Sequence, residues 1–70
     1  MTKREELETP GACLNKAKDD EEIFVLLGRD PAAAETVRFW CRERVRIGIN
    51  QYGDARITSA LEWVDKITGK

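Results

Sequence analysis

Histidine is absent from this chain, so the side chain most often used as a general base near neutral pH is missing. Cysteine is scarce. Cys13 and Cys41 allow one disulfide at most, and two isolated cysteines give no spacing for a structural zinc site. With no signal-peptide pattern and no cysteine-rich framework, free thiols in a cytoplasmic compartment are expected. No apolar run approaches the roughly 20 residues of a membrane-spanning helix, so no membrane partner is expected. The chain has 70 residues, which is one domain at most. A chain so short buries only about 60% of the surface that its unfolded form exposes. Small domains make up the deficit with disulfides, a metal or self-association. The cysteine pattern points to neither of the first two, so self-association is the remedy left and a homo-oligomer is expected.

What is present is charge: 36% of the residues are Asp, Glu, Lys or Arg, with a net charge of −1. That total argues against a duplex nucleic-acid binder. The distribution is uneven. Glu5, Glu6, Glu8 and the four consecutive carboxylates at 19–22 make the first third acidic, and Arg38, Arg42, Arg44 and Arg46 make a later stretch basic. Between the acidic block and Gly28 stands an apolar run, residues 23–27 (IFVLL).

The expected fold is all-α: a small bundle of about four helices, two short and two longer and antiparallel, completed by self-association. Residues 1–8 carry almost no apolar side chains and read as a flexible start; residues 9–70 form the single helical domain. Thr9-Pro10 is a helix-entry signal, with a short helix to about Lys18 that sets Cys13 and Ala17 on one packed face. Residues 23–27 suit a strand by content, but no second strand is visible. A two-turn buried helix ended by Gly28 is the reading adopted. Asp30-Pro31 signals the start of a helix that runs to about Ile47 and is closed by Gly48. Its apolar stripe is Ala33, Val37, Cys41 and Val45, and Arg38, Arg42 and Arg46 repeat on a neighbouring stripe. After a turn at 50–53, Asp54 caps a last helix with Ile57, Ala60, Leu61, Val64 and Ile67 on its apolar face.

Catalysis is not expected. Ser59 has no base at helical spacing, and Cys13 with Lys16 reads better as a packed small residue than as an activated thiolate. The acidic block splays outward at a helix start, where the helix dipole favours it without a metal, so no cofactor or metal is expected. The pair of helices around residues 50–54 resembles a helix-turn-helix only in outline. Its second helix sets Arg56 and Lys66 against Asp54, Glu62 and Asp65, which repels DNA. The arginine stripe is the remaining functional clue. Guanidiniums grip phosphate oxygens bidentately, and Phe39 and Trp40 beside them can stack on a base. The plainer reading pairs these arginines with Glu35, Glu43 and the acidic block on a solvated face.

Residues 13–34 carry a further pattern: Cys13, Lys16, Ala17, Asp20, Glu21, Phe24, Val25, Leu26 and Asp30, then Ala32 and Ala33. This segment resembles that of a family of small, uncharacterised bacteriophage and prophage proteins, with C-x-x-K-A-x-x-D-E and then F-V-L before an alanine-rich helix start. The chain departs at Glu22 and Ala34, where the family usually has proline. The resemblance covers about a third of the chain and continues weakly through Arg38, Phe39 and Trp40. It implies a phage origin and a host-cytoplasmic setting, where small oligomeric proteins often counter host defence by capturing a nucleotide signal or blocking a host protein.

These readings combine into one expectation. The chain is a helical homo-oligomer that sequesters a small anionic ligand, most plausibly a cyclic or linear nucleotide, at a subunit interface. Lys16, Arg38, Phe39, Trp40, Arg42 and Arg46 would form the binding face. The alternative is a protein-interaction module that docks directly on a host protein.

Overall fold

The structure, a computed structural model, describes residues 1–69; Lys70, the last residue of the expected domain, lies outside them. The element order is α1 (Lys3–Glu8), α2 (Cys13–Lys16), α3 (Ala33–Arg46) and α4 (Ala55–Thr68), and no strand occurs among the described residues. The all-helical class therefore holds, but the expected four-helix arrangement does not. Three helices exceed one turn, α2 is a single turn, and no helix forms at residues 23–27.

α3 and α4 form the packed body, and their apolar stripes explain why. Ala33 and Cys41 of α3 and Ile57, Ala60 and Val64 of α4 are the buried core residues. Val37 and Trp40 pack against the cluster of Cys41, Ile57 and Ala60. Leu61, expected on the apolar face of α4, is exposed. Gly48 takes a φ of +83° just past α3, as a closing glycine should. α3 starts at Ala33, two residues beyond the expected first helical position at Pro31. The Asp30 signal still operates, because its Oδ1 accepts from the Ala32 N–H at 2.8 Å. The chain makes a tight turn there, with Ala33 N–H donating to the Asp30 carbonyl, before the α-ladder begins.

The N-terminal part departs further from expectation. Lys3–Glu8 is helical where a flexible start is expected, because Thr2 and Glu5 make a reciprocal capping box. Thr9 and Pro10 lie in a turn and not at a helix start, and α2 begins only at Cys13. Asn15 fastens the two elements, its Nδ2 donating to the carbonyls of Glu6 (2.7 Å), Leu7 (3.2 Å) and Thr9 (2.8 Å). Cys13 is exposed, not packed as expected, and lies 3.5 Å from Nη2 of Arg56 on α4.

Residues 22–27 join the two parts without regular structure. A run of five apolar residues is too short to repay the nucleation of a helix by itself. Leu26 and Gly28 turn partly inward while Ile23, Phe24, Val25 and Leu27 are exposed. Gly28 does not end a helix. It lets the chain lie close on α4: a Cβ there would stand 2.9 Å from Ile67 Cγ2 and 3.5 Å from Trp63 Cζ2. Burying a large apolar side chain stabilises by about 1.5–3 kcal/mol, and this segment leaves that gain unrealised in the single chain.

Candidate anion-binding face

The arginine stripe lies along α3 with a regular pattern of partners three residues earlier. Arg38 pairs with Glu35. Arg46 pairs with Glu43 at 2.7 Å, through both Nε and Nη2. At the same spacing Arg42 has an aromatic ring instead of a carboxylate, its guanidinium carbon 5.9 Å from the centroid of Phe39. The i,i+3 offset puts each pair on one patch of helix surface, so the sequence order Glu35, Phe39, Glu43 decides which arginine is left without an acid.

The electrostatics follow these pairings. The hydrogen bond from Arg46 holds the Glu43 carboxyl below its ordinary range, and the same bond raises Arg46. Exposed pairs of this kind contribute little to stability and exchange readily for another anion. Arg42 and Phe39 are both exposed, Phe39 at 57%. Together they offer a cation and a flat ring with no carboxylate between them.

Trp40 sits differently. One side packs on the core and the guanidinium of Arg44 lies over the ring, 5.4 Å from its centroid. Arg44 in turn donates from Nε to Asn50 Oδ1 at 2.7 Å. Asn50 Nδ2 donates to Asp54 Oδ2 at 3.1 Å, and the Gln51 N–H donates to the same oxygen at 2.9 Å. These bonds hold the Asp54 carboxyl below its usual range, with the Gln51 N–H the larger cause. Asp54 stands at the N-cap position of α4, yet its side chain caps nothing in that helix and instead braces the preceding turn. Arg44 is thus a clamp on the α3–α4 connection. The sequence signal for this clamp is the spacing Arg44, Asn50, Asp54, which also suits the expected turn at 50–53 and the expected Asp54 cap.

Lys16 is exposed on α2, and no residue of α2 comes within 8 Å, Cα to Cα, of α3. The chain therefore does not bring Lys16 to the stripe. Two open hollows also lie elsewhere, one against Lys3, Arg4, Leu7 and Glu8 and one against Val25, Leu27, Arg29, Asp30 and Pro31. Within one chain the stripe is a ridge. Among the described residues no three Cys, Asp or Glu side chains converge as metal ligands, and no helix is long and apolar enough to cross a membrane. No family model, no curated protein and no solved structure matches the chain.

Proposed function

We propose that this protein is a non-catalytic binding module that sequesters a small anionic ligand, a linear or cyclic nucleotide, between copies of itself. The observation that carries the reading is the Phe39–Arg42 pair, an exposed ring and an exposed guanidinium that forms no ion pair among the described residues, although Glu43 lies near enough to feel its charge. Arg42 supplies a bidentate grip on phosphate, and Phe39 supplies a stacking platform for a base. Arg38 and Arg46 reach the same ligand by releasing weak surface partners. A ridge cannot enclose a ligand, so a second copy must close the site. Lys16 contributes only if it comes from that copy. In a phage setting such a module withdraws a nucleotide immune signal from the host.

Native mass spectrometry of protein purified from cells, followed by calorimetry against a panel of linear and cyclic nucleotides, tests the reading. The expected result is an oligomer that carries a bound nucleotide and binds one member of the panel. Protein free of any anion that binds no nucleotide overturns it.

A second reading, docking on a host protein, is favoured by a different observation: the exposed apolar side chains at 23–27. It expects a host protein to co-purify and to be lost when Phe24 becomes Asp.

A further inference from the structure

We infer that residues 22–27 pair with the same segment of a second copy, antiparallel about a two-fold axis near Val25, to make a two-stranded ribbon that closes a homodimer.

The segment has what a strand needs except a neighbour. Its side chains are β-branched, aromatic or leucine, the content that suits a pleated surface. Ile23, Phe24, Val25 and Leu27 face solvent, Phe24 at 85%. From Glu22 to Arg29 no backbone N–H donates to another described residue. An apolar stretch with its N–H groups open is a template for strand addition, and of its carbonyls only that of Leu27 accepts, from the Asp30 N–H, among the described residues. No strand exists among the described residues to take that place, so a second chain must.

Charge selects a second copy and fixes the direction. The block at 19–22 is four carboxylates, and Arg29 follows the apolar run at the other end. Antiparallel pairing about Val25 sets Glu21 of one copy, its Oε1 accepting from the Lys18 N–H at 3.0 Å, opposite Arg29 of the other, with Ile23 opposite Leu27 and Phe24 opposite Leu26. Parallel pairing in register would stack the acidic block on its own copy, and like charges directly opposite are destabilising. Asp30 keeps its charge and falls opposite Asp20 beyond the ribbon, with its Oδ1 accepting from the Ala32 N–H; one like pair at each end costs less than four carboxylates stacked on four. An open groove of about 470 Å³ lies beside the segment, against Val25, Leu27 and Pro31. It lies on the face of Val25 and Leu27, where Ile23 of the second copy stands opposite Leu27, and the two-fold axis makes the contact reciprocal. Leu26 and Gly28, turned toward the body, hold the segment in position on α4.

The interface uses none of the residues of the proposed ligand face: nucleotide binding can fail while the ribbon holds, and a dimer that survives the double Asp substitution removes the ribbon and leaves the ligand reading standing. It does occupy the surface on which docking to a host protein would depend.

Sedimentation equilibrium of the full chain at micromolar concentration should give twice the 8.0 kDa monomer mass. Phe24→Asp with Val25→Asp should give a monomer whose helical circular dichroism is unchanged, since both side chains are exposed in the single chain. Direction is tested by cross-linking in a Cys13→Ala background. Under mild oxidation a mixture of Ile23→Cys and Leu27→Cys proteins should form a disulfide-linked heterodimer, and each protein alone should not. A parent that stays monomeric, a dimer that survives the double Asp substitution, or Ile23→Cys linking to itself overturns the inference.

Discussion

The guanidinium of Arg42 lies 5.9 Å from the ring centroid of Phe39, at the spacing where Arg38 and Arg46 meet Glu35 and Glu43. One aromatic residue in place of an acid thus makes three arginines of one stripe unequal. Two are already engaged with anions; the third holds a ring and has no carboxylate partner among the described residues.

That inequality predicts a rank order. Arg42→Glu should abolish nucleotide capture, and Arg38→Glu should weaken it less, because Arg38 must first release Glu35. Arg42→Lys should recover part of the affinity, since lysine keeps the charge and loses the fork. Phe39→Ala should also weaken binding, by about 1–3 kcal/mol if a base stacks there. Calorimetry at two salt concentrations reads all four, with weaker binding at the higher salt. Equal losses at Arg38 and Arg42 would show that the Phe39 ring plays no part.

A second prediction concerns acid. The Asp54 carboxyl is held below its ordinary range by the Gln51 N–H and the Asn50 amide. A depressed folded-state pKa stabilises the fold above the unfolded value, about 4 for aspartate, and the gain disappears as pH falls through the folded value. The parent should therefore lose stability below about pH 4. Asn50→Ala should show a smaller drop over that range. At neutral pH Asn50→Ala should also lower the melting midpoint, because it removes the part-buried bond from Arg44, worth about 1 kcal/mol. Melting curves of both proteins across acid pH decide this.

α3 and α4 were legible because each repeats apolar residues at helical spacing over several turns. Ala33 and Cys41 on one and Ile57, Ala60 and Val64 on the other are the buried core. Residues 23–27 were not legible, because five consecutive apolar residues have no period to read. What decides their path is distant: the approach of Gly28 to Ile67 and Trp63. The N-terminal helix was legible and was passed over. Thr2 followed three residues later by Glu5 is a capping-box pattern, obscured by the missing apolar face. The arginine stripe was visible as a repeat, but its inequality rests on i−3 partners, and Lys16 was joined to it with no contact to support the link.

The two cysteines should differ in reactivity. Cys13 is exposed and Cys41 is buried in the α3–α4 core, where burial pushes its thiol above the usual range. The thiolate is the species that attacks a disulfide reagent, and burial denies Cys41 both access and ionisation. Under native conditions one thiol per chain should react quickly and the second only on unfolding. Cys13→Ala should remove the fast phase and Cys41→Ala should keep it. Two fast thiols would mean that α3 and α4 do not pack as described.

Gly28 should be intolerant of even a methyl group. The obstacle is Ile67 Cγ2, 2.9 Å from where the Cβ would sit, with Trp63 Cζ2 at 3.5 Å behind it. Ile67 is β-branched and stiff at χ1, so its methyl cannot swing aside freely. Gly28→Ala should therefore destabilise by about 1–3 kcal/mol, the cost of overpacking, even though alanine ordinarily lowers the entropy of the unfolded chain and would help at an open position. A double-mutant cycle separates the clash from any backbone effect. In an Ile67→Ala background the methyl has room, and Gly28→Ala should become neutral or slightly stabilising. Denaturant melts of the four proteins supply the cycle. If Gly28→Ala costs the same in both backgrounds, the segment does not rest on Ile67, and the path of residues 22–27 over α4 would have to be redrawn.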